Sequence, residues 1–157
     1  MMSLCCDVLS TIKGKTLVTA ESLTGGGIGS ALTSVSGASA VYKGGIISYT
    51  NAVKHGVLGV PLETLDEFGA VSAPVAKAMA EGARKVLEAD IAVSVTGLAG
   101  PTGDEFGNPV GTVFIGYADA EKTVVQEYHF SGDRETVRRQ AAAAALELIL
   151  KTTNKST

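Results

Sequence analysis

Two kinds of apolar spacing alternate along this chain. Ile28, Ala31, Leu32 and Val35 follow the i, i+3, i+4, i+7 spacing of a helix that buries one face. Short segments such as "DIAVSVTG" are instead apolar almost throughout, which is typical of a buried strand. The alternation predicts a three-layer α/β/α sandwich whose mixed sheet has about five strands, with about four or five helices around it.

The predicted strands are the segments "KTLVTAE", "GGIISYT", "DIAVSVTG", "TVFIGYA" and "KTVVQEYHF". A short polar turn joins the last two of them. We therefore expect those two strands to form an antiparallel pair.

The predicted helices lie between these strands and at the two ends of the chain. The clearest is "SAPVAKAMAEGARKVLEA", which starts with Ser72 and Pro74 and has an apolar face formed by Val75, Met79, Gly82 and Val86. The others are expected from about Ser3 to Ile12, around Ile28, at "AVKHGVL" after an Asn51 N-cap, as one turn after Pro61, and from near Asp133. The tail "KTTNKST" is expected to be loose.

Composition favours one globular domain, residues 1–157, with 45% hydrophobic and 18% charged residues. The net charge of -3 gives no broad basic surface, so we expect no direct contact with nucleic acid. No apolar run is long enough to cross a membrane, and the first residues lack the features of a signal peptide. Cys5 and Cys6 are adjacent and are the only cysteines, which excludes a disulfide framework. We interpret them as small apolar residues on the first helix of a cytoplasmic protein.

Polar or glycine-rich segments follow predicted strands at residues 22–27, 48–54 and 96–103, and at 131–139 where the last helix starts. Ligands of open α/β sheets bind beyond the carboxyl ends of the strands. The coincidence of these segments predicts a ligand site at that edge of the sheet.

The first segment places three glycines, Gly25 to Gly27, at the start of a helix, although each costs roughly 1 kcal/mol relative to Ala inside a helix. Free N–H groups at a helix start attract anions and developing oxyanions, and glycine lets a ligand approach the backbone. The alternative is that Ser22 or Thr24 caps the helix and the glycines only make room for packing. The segment matches neither the dinucleotide-binding nor the P-loop glycine pattern.

Lys54 would be the third residue of its helix if Asn51 is the N-cap. A cation at a helix start is unfavourable, and with some burial this position would lower the pKa of the lysine. A neutral lysine can take a proton from a serine hydroxyl, and Ser22 is the candidate partner that folding would bring close. The alternative is an ordinary surface lysine.

The segment "TGLAGPTGDEFGNP" follows a strand that ends at Thr96, and glycines such as Gly97 and Gly100 permit close backbone contact with a ligand. Asp104 and Glu105 have no histidine nearby, so we interpret them as solvated surface residues and expect no metal site.

Three arginines lie at the start of the last helix. Arg139 can pair with Glu135 at i, i+4, whereas Arg134 and Arg138 have no acidic partner at helical spacing. Two unpaired guanidinium groups favour a phosphate, and simple solvent exposure is the alternative. His55 and His129 are isolated, and neither is expected to be catalytic or to bind a metal.

Six segments occur in an order that resembles the CinA C-terminal domain family: "TAESLTGG", "GGIISYTNAVK", "FGAVSAPV", "VTGLAGPTG", "PVGTVFIG" and "FSGDRETVRRQ". Studied members of that family are nicotinamide-nucleotide amidases. The resemblance implies an α/β/α fold of the anticodon-binding-domain type, in the stand-alone form without the family's N-terminal domain. It also implies hydrolysis of nicotinamide mononucleotide to nicotinate mononucleotide and ammonia.

The resemblance further implies that Ser22 is the nucleophile and Lys54 its partner, and that Tyr49, Thr96 and Arg138 line the pocket. Leu23 departs from the family pattern, since many members carry Cys there. In this mechanism the N–H groups of Thr24, Gly25 and Gly26 would stabilise the oxyanion, and Arg138, with Arg134, would hold the 5′-phosphate. No metal or organic cofactor is implied. The expected partners are a small-molecule nucleotide and further copies of the chain in a homo-oligomer, a dimer being the form expected.

Two other functions are compatible with the same residues. One is a non-catalytic, regulatory nucleotide-binding module that uses the same pocket. The other is a scaffold that binds a protein partner, although the acidic charge balance argues against direct contact with DNA.

Overall fold

The computed structural model describes residues 1–154, which form an α/β domain around one five-stranded sheet. The strands are β1 (Leu17–Glu21), β2 (Tyr42–Ile47), β3 (Ile91–Gly97), β4 (Thr112–Ala118) and β5 (Thr123–His129). The helices are α1 (Met2–Thr11), α2 (Gly27–Thr33), α3 (Asn51–Gly56), α4 (Leu62–Phe68), α5 (Ala73–Val86) and α6 (Arg134–Asn154), with one 3₁₀ turn at Ala38–Ala40.

The sheet is mixed, with the strand order β2-β1-β3-β4-β5. β1 pairs in parallel with β2 and β3, whereas β4 pairs antiparallel with both β3 and β5. The predicted mixed sheet and its final antiparallel pair are therefore confirmed. Since β5 runs in the same direction as β3, the carboxyl ends of β1, β2, β3 and β5 all lie at one edge of the sheet.

Side chains alternate between the two faces along the buried strands, as the pleat of a strand requires. Leu17 of β1 belongs to the core on the face covered by α1, α2 and α6, while Val18 and Ala20 belong to the core beneath α5. The central strands β1 and β3 are buried on both faces, and the edge strands β2 and β5 are partly exposed. Burial on both faces confirms the predicted three layers.

Helix α5 packs closely on the segment before α4. A Cβ atom at Gly82 would overlap the carbonyl oxygen of Leu58, so this approach requires glycine. Val75 and Met79 of the predicted apolar face are fully buried, but Val86 at the end of the helix is 50% exposed, contrary to the prediction. Val86 is the last residue of the helix, so it lies at the margin of the apolar face.

Three other local predictions were wrong. Six α-helices occur within residues 1–154, because the segment after Pro61 forms the complete helix α4. Helix α3 already includes Asn51, with Thr50 as its N-cap residue, so Lys54 is its fourth residue. Helix α6 continues through Lys151 to Asn154, and the rest of the predicted loose tail lies outside the described residues.

Candidate active site

A cleft of about 350 Å³ lies at the carboxyl edge of the sheet. It is lined by residues from all of the segments that the sequence predicted to converge there. The predicted site residues among them are Ser22, Tyr49, Lys54, Thr96, Gly97, Gly100 and Arg134. Thr24, Gly25, Gly26 and Arg138 lie beside the cleft and are not part of its lining.

The strand order explains why Ser22 and Lys54 meet. Ser22 follows β1 and Lys54 lies in the helix that follows β2, and these strands are parallel neighbours. The helix after β1 packs on one face of the sheet, whereas α5, which follows β2, packs on the other face. A crevice opens where successive connections diverge in this way.

The Lys54 amine is the centre of the buried polar contacts in this cleft. Its Nζ atom donates hydrogen bonds to Ser22 Oγ at 3.0 Å, to Ser48 O at 2.8 Å and to Tyr49 O at 3.3 Å. Lys54 is 1% exposed and Ser22 is 6% exposed. The alternative of an ordinary surface lysine is excluded.

Burial lowers the pKa of Lys54 to about 8, because the charged ammonium loses its hydration. Within residues 1–154 no carboxylate forms an ion pair with it. A substantial fraction of Lys54 is therefore the free amine at mildly alkaline pH, and this fraction can accept a proton.

The turn that carries Ser22 begins where β1 ends. The Ser22 N–H donates to Val95 O at 3.0 Å, which continues the pairing with β3, and the Gly25 N–H then donates to Ser22 O at 3.1 Å. Gly25 and Gly26 have φ values of 58° and 100°. These left-handed conformations explain the glycines, because side chains at such positions are strained.

Glu21, directly before Ser22, is the polar residue of this region that the sequence did not indicate. Its carboxylate is 2% exposed and accepts four hydrogen bonds. Oε1 accepts from the Thr24 hydroxyl at 2.7 Å and from the Ile28 N–H at 2.8 Å, while Oε2 accepts from the Gly29 N–H at 3.0 Å and from Thr19 Oγ1 at 3.2 Å. The Glu21 carboxylate therefore caps the first N–H groups of α2, a role for which the sequence suggested Ser22 or Thr24. Glu21 lies seven and eight residues before its two backbone donors, and this spacing matches no capping motif, so residue types alone do not indicate the role.

Backbone donors do remain available in the turn itself. Within residues 1–154, the N–H groups of Leu23, Thr24 and Gly26 make no hydrogen bond, whereas the N–H of Gly25 is used by Ser22 O. An oxyanion bound at this turn would therefore contact the turn rather than the start of the helix.

The segment after β3 forms the opposite wall of the cleft. Thr96 is buried and its hydroxyl donates to Ala70 O at 2.8 Å, which ties this wall to the residues before α5. Gly97 lies so close to Thr112 O that a Cβ atom there would be 2.8 Å away. Asp104 is not merely solvated, since its carboxylate accepts from the N–H groups of Phe106 and Asn108 and so shapes the loop.

The arginines at the start of α6 make separate contacts. Arg134 donates from Nη1 to Gly100 O at 2.6 Å and from Nη2 to the Tyr49 hydroxyl at 3.2 Å. Arg138 donates from Nε to Leu23 O at 2.9 Å and from Nη2 to Thr24 O at 3.4 Å. The ion pair that the i, i+4 spacing of Glu135 and Arg139 allows does not form within residues 1–154.

Neither histidine lies in the cleft. His55 Nδ1 is 2.8 Å from Val60 O, and His129 Nε2 is 2.7 Å from Glu127 Oε2. Among residues 1–154 no cluster of three or more His, Cys, Asp or Glu side chains could hold a metal ion. In the same part of the chain, every helix is too short or too polar to cross a membrane.

Two curated relatives show how much of a longer protein this chain matches. A CinA-like protein of Geobacter sulfurreducens is 48% identical over 135 residues, which are 86% of this chain and 33% of that protein. A putative competence-damage inducible protein of Bacillus subtilis is 48% identical over 139 residues, which are 88% of this chain and 33% of that protein. The chain thus spans about a third of the length of these relatives.

Solved structures match over nearly the whole chain. Competence damage-inducible protein A from Klebsiella pneumoniae has a TM-score of 0.93 at 36% identity, covering 96% of this chain and 94% of that one. The competence/damage inducible protein CihA from Agrobacterium tumefaciens has a TM-score of 0.92 at 38% identity, covering 98% and 94%. The sequence model of the CinA C-terminal domain matches residues 3–153, and this chain belongs to that family.

Proposed function

We propose that this chain is a nicotinamide-nucleotide amidase, which hydrolyses the carboxamide of nicotinamide mononucleotide to a carboxylate and ammonia. The observation that carries the proposal is the 3.0 Å distance between the buried Lys54 Nζ and Ser22 Oγ at the wall of the cleft. A serine beside a lysine of lowered pKa is an arrangement that activates a hydroxyl without a histidine.

The two carbonyl groups around Lys54 favour its action as a base. After the ammonium loses one proton, two N–H bonds remain, and Ser48 O and Tyr49 O accept them. The nitrogen lone pair is then left for the Ser22 hydroxyl, which becomes the donor in that hydrogen bond. The contacts that hold the amine thus also direct its lone pair toward the nucleophile.

In the first step, Ser22 Oγ forms a bond to the carboxamide carbon while its proton moves to Lys54 Nζ. The carbonyl π electrons move to the oxygen and give a tetrahedral oxyanion. Unused N–H groups of the turn at Leu23, Thr24 and Gly26 are the candidate donors to that oxyanion. Each such donor typically contributes about 2.7–4 kcal/mol to lowering the barrier.

In the second step, the carbon–nitrogen bond breaks and Lys54 returns the proton to the departing amine, which leaves as ammonia. A water molecule then attacks the acyl group on Ser22, with Lys54 taking a proton from the water and returning it to Ser22 Oγ. The products are the free carboxylate and the regenerated enzyme. The residues present supply every proton transfer in this sequence.

The substrate assignment rests on the resemblance of the six sequence segments to the amidase family and on the charge of the cleft. A guanidinium at the cleft, Arg134, is suited to a phosphorylated substrate. The names of these relatives refer to competence and damage induction and do not state a substrate.

The test is ammonia release from nicotinamide mononucleotide by the unmodified protein and by Ser22→Ala. We expect turnover in the first and a loss of about 1,000-fold or more in the second, because the nucleophile is removed. Ser39→Ala, which changes an exposed serine of the 3₁₀ turn, is the matched control and should keep full activity. A folded, unmodified protein that binds the nucleotide tightly and releases no ammonia would instead support the regulatory binding module.

A further inference from the structure

The two unpaired arginines at the start of α6 look equivalent in sequence and differ in what they contact. Arg134 lines the cleft that contains Ser22 and Lys54. Two of the five N–H donors of its guanidinium are used, by Gly100 O and the Tyr49 hydroxyl. The other three N–H donors make no hydrogen bond to residues 1–154 and are available to a ligand.

Arg138, four residues later, lies outside the cleft lining and contacts the turn that carries Ser22. Its guanidinium donates to Leu23 O and Thr24 O, the carbonyls directly after Ser22. The Thr24 hydroxyl is held by Glu21 from the other side of the same residue. Arg138 and Glu21 therefore fix the turn together.

The packing around Gly25 also indicates that Arg138 holds the turn that carries Ser22. A Cβ atom at Gly25 would lie 3.5 Å from Arg138 Nη2, so the guanidinium rests directly against the turn. Each of the two guanidinium groups uses two donors within the protein, so the number of occupied donors does not separate them. Their positions do, because Arg134 lines the cleft where a substrate would bind, whereas Arg138 lies outside that lining and against the turn.

We propose that Arg134 determines specificity by binding the phosphate of the substrate, whereas Arg138 is a positioning residue that acts through the Ser22 turn. The inference rests on the proposed function for the identity of the substrate. Within residues 1–154 neither guanidinium is paired with a carboxylate, so the positive charge of Arg134 is not neutralised by the protein. A phosphate can accept two parallel N–H bonds from one guanidinium, which is the geometry that arginine provides.

The experiment compares nicotinamide mononucleotide with the unphosphorylated nucleoside, nicotinamide riboside. We expect Arg134→Ala to raise KM for the nucleotide by about 10- to 100-fold and to leave the nucleoside nearly unaffected, so that the preference between them collapses. Arg138→Ala should lower kcat for both substrates by the same factor and keep the preference, and Arg138→Lys should restore part of kcat. Arg139→Ala, an exposed arginine on the same helix, controls for the loss of one positive charge.

Two results would overturn the division of roles. One is a nucleotide preference that survives Arg134→Ala, and the other is a preference that collapses in Arg138→Ala. Calorimetric binding of both compounds to the Ser22→Ala variant gives the same ratio without turnover. If the unmodified protein releases no ammonia, the amidase proposal fails, while the binding ratio still decides whether Arg134 or Arg138 recognises the phosphate.

Discussion

Two clefts of similar size lie at opposite edges of the sheet, and their polar groups differ in kind. The candidate active site at the carboxyl edge has a volume of about 350 Å³, and the cleft between the end of α1 and the β4–β5 turn has about 400 Å³. The first is built around the buried Ser22 and Lys54. The second is lined by mainly exposed charged residues, Lys13, Lys15, Asp90, Asp119 and Glu121.

Two carboxylates of the second cleft, Asp119 and Asp90, are held by hydrogen bonds within the protein. Asp119 accepts from the N–H groups of Glu121 and Lys122 and from the Tyr117 hydroxyl, which closes the β4–β5 turn. A hydrogen bond from the Thr16 N–H lowers the pKa of Asp90, so this carboxylate stays ionised. Burial, in contrast, lowers the pKa of Lys54 to about 8, so the neutral amine is accessible at mildly alkaline pH. The protonation state and the contacts of the polar groups, and not the volume of the cleft, therefore distinguish a site suited to chemistry.

The largest effect is expected from Lys54→Met, which keeps the length of the side chain and removes the base. Ammonia release should fall by about 10²- to 10⁴-fold, the usual contribution of general acid–base catalysis. At neutral pH the folded protein should lose little stability, because the lost hydrogen bonds are offset by removal of a buried charge. A variant that keeps near-normal turnover would show that another group is the base.

Two pH dependences are expected from the lowered pKa of Lys54. Turnover of the unmodified protein should rise with pH and level off above about pH 8, as Lys54 loses its proton. The pKa is lower in the folded chain than its ordinary value of 10.5, so between these values the unfolded chain binds more protons. The free energy of unfolding should therefore increase with pH across that window, by on the order of 3 kcal/mol relative to Lys54→Met. Equal pH profiles for the two proteins in chemical denaturation would contradict this.

A smaller effect is expected from Glu21→Gln, which tests whether the first cleft depends on the turn that Glu21 holds. An amide nitrogen cannot accept a hydrogen bond, so the Gly29 N–H loses its acceptor if the nitrogen replaces Oε2, and the Ile28 N–H loses its acceptor if it replaces Oε1. We expect a loss of about 1–3 kcal/mol in the free energy of unfolding and about 10-fold in kcat, since the position of Ser22 becomes less defined. Glu63→Gln, an exposed acid of α4, is the matched control for charge. A variant destabilised to this extent with an unchanged kcat would separate Glu21 from the site.

The sequence predicted the strands, their layers and the edge where polar segments converge, because these follow from apolar periodicity and from the general behaviour of parallel strands. The approach of Ser22 to Lys54 is also a sequence hypothesis, based on polar segments that follow predicted strands and on the family resemblance. The carbonyls of Ser48 and Tyr49 that orient Lys54 could not be predicted, because backbone groups leave no trace in residue identity. The separate contacts of Arg134 and Arg138 depend on the rotation of α6 about its axis, which spacing alone does not fix.

The smallest effect on activity is expected from Asp119→Ala at the opposite cleft. The loss of the acceptor for the Glu121 and Lys122 N–H groups and the Tyr117 hydroxyl should lower the free energy of unfolding by about 1–2 kcal/mol. Turnover of the folded fraction should be unchanged, because this turn lies at the other end of the strands from Ser22. Chemical denaturation and ammonia release on the same sample measure both quantities. A drop in kcat without a change in substrate preference would mean that the two edges are coupled through β4 and β3, and that the second cleft also contributes to function.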